Sequence, residues 1–201
     1  MNILGIVASP RKNGNTEILV NEALEEAANL GAKTELWTIV NRKIEGCNAC
    51  FGCVPSGKCV IDDDMSELYR LLKQADGVIF GSPVYFWSVT SQAKTIIDRT
   101  SCFWADRALK GKVGCAIVST QTRGATSALQ VINAFFLCQG MYIGGSFDIM
   151  VTGYCQTTDK GTLITTGLES NGKTPHNDPW LQSREGAKEM VNLIKRLKWE
   201  S

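Results

Sequence analysis

Short apolar runs alternate with amphipathic helical stretches along most of the chain. NILGIVAS (2–9) is a continuous apolar run closed by Pro10, the pattern of a strand buried on both faces. From about Thr16 the period changes: Leu19, Val20, Ala23, Leu24 and Ala27 recur on one helical face until Gly31. KTELWTIV (33–40) predicts a second strand. DMSELYRLLKQA (64–75) predicts a helix capped by Asp64, with Glu67 three residues later and Met65, Leu68, Leu71, Leu72 and Ala75 inward. GVIFGSPVYF (77–86) reads as strand three, and SVTSQAKTIIDRT (88–100) as a helix burying Val89, Ala93, Ile96 and Ile97. KVGCAIVST (112–120), a helix through TSALQVINAFFLCQG, and MYIGGSFDIMV (141–151) complete the alternation. A last helix over about 180–199 turns Ala187, Met190, Val191, Ile194 and Leu197 to one side.

Five strands alternating with helices imply a parallel sheet covered on both faces. A Rossmann-type sheet shares the alternation, but five strands without a sixth favour the flavodoxin-like doubly wound order 2-1-3-4-5. The expectation is one α/β domain over 1–201, with a cysteine-rich loop (42–64) after strand two and an extended Gly/Thr/Asn-rich loop at 152–179.

In such sheets ligands bind beyond the carboxyl ends of the strands. ASPRKNGNTE (8–17) leads into a helix N-terminus, whose open N–H groups suit a phosphate, with Ser9, Asn13, Asn15, Thr16 and the Arg11 fork nearby. The loop has neither G-x-G-x-x-G nor a G-K-[ST] ending, so a single terminal phosphate fits best. An ordinary strand–turn–helix connection is the plainer alternative. GSPVYFWS (81–88) offers backbone and the aromatic groups of Tyr85, Phe86 and Trp87 to a flat ligand. STQTRGAT (119–126) adds hydroxyls and Gly124. Together they describe a phosphate pocket beside a planar-ring pocket, as for a mononucleotide such as FMN.

Composition changes little in this picture. Hydrophobic residues make up 44% and charged residues 20%, with a formal net charge of +1, which argues against a nucleic-acid surface. No apolar run approaches the ~20 residues of a membrane span, and the N-terminus does not read as a signal peptide. A cytoplasmic setting follows as an expectation, and there clustered cysteines more often bind metal than form disulfides.

The clustered cysteines are Cys47, Cys50, Cys53 and Cys59, spaced C-x2-C-x2-C-x5-C. A C-x2-C-x2-C run winds backbone around one object, as in ferredoxin-type clusters. Gly46, Gly52 and Gly57 permit tight winding, and Lys43 and Lys58 can offset thiolate charge. Structural zinc usually takes two separated C-x2-C knuckles. The uninterrupted run therefore favours a [4Fe–4S] cluster, with zinc, and disulfides or free thiols, as alternatives. Cys115 and Cys138 read as buried hydrophobes, Cys102 and Cys155 as loop residues, His176 as solvated, and DDD (62–64) as capping plus solvation.

With SPRKNGNT, CNACFGCVPSGKC, GSPVYF and AKTIIDR in place, the chain resembles the iron–sulfur flavoproteins. These sit in the flavodoxin-like superfamily with the NAD(P)H-dependent FMN and quinone reductases. The resemblance spans residue 2 to about 150. It implies that Ser9, Arg11, Asn13, Asn15 and Thr16 hold the FMN phosphate, and that Pro83, Val84, Tyr85 and Phe86 line the isoalloxazine with Thr120 and Gly124 alongside. It implies that Cys47, Cys50, Cys53 and Cys59 ligate the cluster. It further implies a homodimer or homotetramer with FMN near a subunit contact, to which the aromatics of SCFWADRAL (101–109) would contribute. A ferredoxin-like donor would supply electrons, and oxygen, hydrogen peroxide or a quinone would accept them. Trp87 departs from the small residue usual in relatives and narrows access for a nicotinamide. Two other readings remain: an NAD(P)H-dependent FMN or quinone reductase with a structural four-cysteine site, and a non-catalytic redox sensor or carrier.

Overall fold

Side chains alternate across the central strands. Leu4, Ile6, Val78, Phe80, Ala116 and Val118 enter one hydrophobic layer, and Ile3, Val7, Ile79, Cys115 and Ile117 enter the other. Burial on both faces explains why these strands read as unbroken apolar runs. A computed structural model describes residues 1–150 and 179–199. Residues 152–178 of the expected 152–179 loop, Cys155 and His176 among them, lie outside the described residues, and Pro179 begins the last helix.

The strands are β1 (Asn2–Val7), β2 (Lys33–Thr38), β3 (Gly77–Pro83), β4 (Val113–Thr120) and β5 (Tyr142–Met150). All neighbouring pairs are parallel, in the order β2-β1-β3-β4-β5. The helices are α1 (Asn15–Asn29), α2 (Met65–Gln74), α3 (Ser91–Arg99), α4 (Ala125–Cys138) and α5 (Pro179–Trp199). Helices α1 and α5 cover one face, and α2, α3 and α4 the other. The sheet is thus flavodoxin-like and doubly wound. The predicted inward faces of α1 and α2 are buried, as are Ala187, Met190, Val191 and Ile194 of α5.

Close packing sets α1 against the sheet where it matters for the site. A Cβ on Gly81 would stand 2.5 Å from Val20 Cγ2 and 2.9 Å from Thr16 Cγ2. Glycine there lets the first turn of α1 lie against the end of β3.

Five local expectations need correction. Helix α3 begins at Ser91, not at 88, because Thr90 caps it: its hydroxyl oxygen accepts from Ala93 N (3.0 Å) and donates to Ala8 O (2.7 Å). Asp64 precedes α2 but its carboxylate accepts from Lys43 N (2.7 Å); Asp63 takes the Met65 N–H (3.1 Å). Glu67 pairs with Arg42 and accepts from Trp37 Nε1 instead of closing a capping box. Cys138 is exposed, since it ends α4 on the solvent side. Of the two aromatics in SCFWADRAL, Phe103 is buried and Trp104 exposed, because the 3-10 turn Thr100–Trp104 tucks the first ring under α2.

Candidate functional site

The loops after β1, β3 and β4 meet around one cavity of about 400 Å³. Ser9, Arg11, Asn15 and Thr16 line one end, Pro83, Val84, Tyr85 and Phe86 another, and Thr120 the third side. Pockets of this size hold small-molecule ligands and cofactors.

The phosphate-like end is built on the start of α1. Gly14, in extended backbone, occupies the N-cap and offers no side chain to the first helical N–H groups. Such an end attracts an anion through its unsatisfied donors and the helix dipole. Asn13, at φ +53°, turns the chain into the helix, and its N–H is taken by Glu17 Oε2 at 2.7 Å. Asn13 therefore shapes the loop without lining the cavity. Behind the loop, the buried Thr16 and Ser119 hydroxyls share a hydrogen bond of 2.8 Å, tying α1 to the end of β4.

The aromatic wall is a tight turn. Tyr85 N donates to Ser88 O (2.9 Å) and Ser88 N to Tyr85 O (3.1 Å). Between them Phe86 (φ +41°) and Trp87 (φ +66°) are both left-handed, as the central positions of a type I′ turn require. Bulky residues in that region cost on the order of 1–2 kcal/mol each. Phe86 is 98% exposed and Trp87 57%. Gly124, at φ +90°, sits behind this turn: a Cβ there would stand 2.9 Å from Trp87 Cα. Gly124 positions the turn and does not itself line the cavity.

The 42–64 loop leaves the same carboxyl edge of the sheet, after β2. Cys47 and Cys50 are exposed, Cys53 and Cys59 half-buried, and all four thiols are free. Among the described residues, no three Cys, His, Asp or Glu side chains converge closely enough to share a metal ion. Winding comes from Ala49 (φ +55°), Phe51 (φ +56°) and Gly57 (φ +66°), so two of the three left-handed residues are not the expected glycines. Gly52 serves contact instead, since a Cβ would meet Val60 Cγ1 at 2.8 Å.

Both ends of this loop close on one buried ion pair. Arg99, at the end of α3, is fully buried, and Asp63 nearly so. Arg99 Nη1 donates to Asp63 Oδ2 (2.7 Å) and Glu45 O (2.7 Å), and Nη2 donates to Asp63 Oδ1 (2.9 Å). Glu45 N also donates to Asp63 Oδ2 (2.9 Å). The reading of 62–64 as capping plus solvation misses this role of Asp63. Burial alone raises the pKa of the Cys59 thiol, but the Ile61 N–H, the Tyr69 hydroxyl and the Arg99 charge together hold it below the usual value. Cys102 is buried close by, and desolvation pushes its thiol up to about 11. A thiolate donor is thus favoured at Cys59 and disfavoured at Cys102.

A model of the NADPH-dependent FMN reductase family matches residues 1–153. An iron–sulfur flavoprotein of Methanocaldococcus jannaschii is 39% identical over 150 residues, 74% of this chain and 78% of that one. Another from Methanosarcina thermophila is 38% identical over 148 residues, 72% of this chain and 78% of the other. The chain belongs to the iron–sulfur flavoproteins of the FMN reductase family. Membership makes it an FMN-dependent oxidoreductase. Among solved structures, RosB with its bound intermediate 8-demethyl-8-formylriboflavin-5′-phosphate superposes with a TM-score of 0.73 at 16% identity, over 99% of this chain and 81% of that one. An archaeal flavodoxin gives 0.57 at 14% identity, over 98% and 99% of the two chains. Likeness at that distance establishes the fold alone.

For an iron–sulfur flavoprotein, the cavity holds more than the sequence singled out. Gly14, Ser119, Gln121, Thr122 and Arg123 also line it, beside Trp87. Arg123 brings a second cation, and its carbonyl accepts from Thr120 Oγ1 (3.1 Å). These residues stand inside STQTRGAT, but nothing in a run of small polar residues says which ones turn inward. The donor chemistry of the cysteine loop fits a thiolate-ligated centre, although its four sulfurs are not gathered on one point.

Proposed function

We propose that this chain takes single electrons from a ferredoxin-like carrier through a [4Fe–4S] cluster on the 42–64 loop, and passes them through FMN to oxygen, hydrogen peroxide or a quinone. The observation that carries this reading is the placement of two cofactor-type sites on one sheet edge. The 400 Å³ cavity and the four-thiol loop both follow carboxyl ends of adjacent parallel strands. Ser9, Arg11, Asn13, Asn15 and Thr16 would hold or shape the FMN phosphate site, with Arg123 as a further cation. Pro83, Val84, Tyr85 and Phe86 would line the ring, with Thr120 beside it and Gly124 supporting the aromatic turn. Cys47, Cys50, Cys53 and Cys59 would ligate the cluster. Bound in those places, FMN supplies storage for one or two electrons and the cluster supplies single-electron exchange. The chain's own share is to grip the two groups, orient them, and tune them through hydrogen bonds and charge.

Large apolar side chains stand exposed on both sites: Phe51, Val54 and Val60 on the cysteine loop, and Phe86, Trp87 and Trp104 beyond it. They support a homodimer or homotetramer that covers them. No helix among the described residues is long and apolar enough to cross a membrane. A cytoplasmic setting is part of the same proposal.

Cys50→Ser tests the division of labour. The variant is expected to lose iron and the brown chromophore while keeping FMN at wild-type stoichiometry. Loss of flavin with an intact cluster contradicts it. The description of the matching family favours a second reading, in which NADPH reduces FMN directly and the cysteine loop is structural. Under that reading, stopped-flow reduction of FMN by NADPH is fast and unchanged in Cys50→Ser; under the proposal NADPH is a poor donor. A non-catalytic sensor or carrier would show reduction without multiple turnover on any acceptor.

A further inference from the structure

Arg99 spends its guanidinium on the cysteine loop in an uneven way. Nη1 and Nη2 together reach Glu45 O, both oxygens of Asp63 and, at 3.4 Å, Ile61 O. Those groups bracket Cys47–Cys59 from both sides. The remaining donor, Nε, is fully buried and has no hydrogen-bond partner among the described residues. A buried guanidinium N–H left unpaired is costly, and such orphans call for a missing partner. Arg99 also lies close enough to Cys59 for its charge to act on that thiol. Tyr69 in turn donates to the carbonyl of Arg99 at 2.9 Å, fixing the helix end from which the guanidinium projects.

We propose that Arg99 is a positioning residue for the iron–sulfur centre: through Asp63 it pins both ends of the cysteine loop, and its unpaired Nε–H is held for a sulfur of the bound centre. This inference rests on the reading of the loop as an iron–sulfur site and adds a specific partner to it. Two consequences follow from charge and geometry. A guanidinium beside the centre favours its more negative, reduced form, so it raises the reduction potential; the Asp63 carboxylate opposes it. Closing the loop ends also holds the ligands against loss of iron, and outer partners of this kind are typically worth about 10- to 100-fold in metal affinity.

The test compares anaerobically reconstituted wild-type protein with Arg99→Gln, Arg99→Lys and Asp63→Asn. Iron and acid-labile sulfide content, iron release to a chelator and the midpoint potential of the cluster are measured, with FMN content as the check on folding. Arg99→Gln is expected to lower the potential and to release iron about 10-fold faster. Asp63→Asn is expected to raise the potential, opposite in sign, which a merely structural role does not produce. Arg99→Lys keeps the charge but cannot fork, so it is expected to shift the potential less while still losing iron faster. Potentials and iron release equal to wild type in Arg99→Gln and Asp63→Asn overturn the inference. Should Arg99→Gln fail to retain FMN, Arg99→Lys and Asp63→Asn decide alone, and wild-type behaviour in both overturns it. Wild-type protein that takes up FMN but neither iron nor sulfide overturns instead the iron–sulfur reading on which the inference rests.

Discussion

Arg11 and Gly124 shape the proposed flavin pocket, one by charge and one by the absence of a side chain. Arg11→Ala is expected to weaken FMN binding by about 1.5–3 kcal/mol, the worth of a hydrogen bond to a charged group; fluorescence titration of apoprotein with FMN measures it. Gly124→Ala meets two obstacles at once, a φ of +90° and contact with the Trp87 backbone. Its expected cost is about 1–3 kcal/mol in stability, together with weaker flavin binding, because the aromatic turn must shift. Residue-scale legibility was uneven. Most of the cavity lining was readable, because each loop carries hydrogen-bonding or aromatic types immediately after a strand. Asn13 and Gly124 were readable as pocket residues but act one step behind the lining, and sequence cannot separate lining from support. Arg99 was invisible as an anchor of the cysteine loop, since AKTIIDR reads equally well as an amphipathic helix with a solvated end.

Helix α3 shows how an element boundary serves the site. Its start is held by Thr90, whose hydroxyl both caps the helix and ties it to Ala8 at the end of β1. Its end carries Arg99 under the cysteine loop. Thr90→Ala is expected to cost about 1–2 kcal/mol, read from urea denaturation. The sequence placed the helix itself through the spacing of Ala93, Ile96 and Ile97, but began it at Ser88. Apolar Val89 continued the helical pattern, although it lies between the aromatic turn, closed at Ser88, and the Thr90 cap. The cysteine loop was legible as one object from its spacing, and its anchoring was not: Asp63 looks like any acidic residue before a helix. Its pKa records the difference. Burial would raise it, but Arg99 and the N–H groups of Glu45 and Met65 hold it below the usual carboxylate value. The folded-state pKa being the lower one, the stabilisation is complete above the unfolded-state value of about 3.9 and is lost as pH falls through the folded value. The stability difference between wild type and Asp63→Asn should therefore shrink on acidification from pH 6 to below pH 4; a constant difference contradicts this coupling.

At the scale of the whole molecule, order 2-1-3-4-5 brings the loops after β1, β3 and β4 together and leaves the cysteine loop beside them, after the edge strand β2. That arrangement was legible because a parallel sheet covered on both faces writes itself as unbroken apolar runs separated by amphipathic helices. Assembly was not legible in the same way. Exposed Phe51, Val54, Phe86 and Trp104 support the proposed assembly, and no pattern in one chain encodes its partner. The central claim is that one small sheet carries two redox centres. It is tested most directly by the anaerobic absorption spectrum of the purified protein, taken with FMN, iron and acid-labile sulfide determinations on the same sample. The account predicts a flavin spectrum superposed on a broad brown absorption, with about four irons and four sulfides per FMN. Protein that is yellow but free of iron, or that carries zinc at full occupancy in place of iron and sulfide, contradicts it.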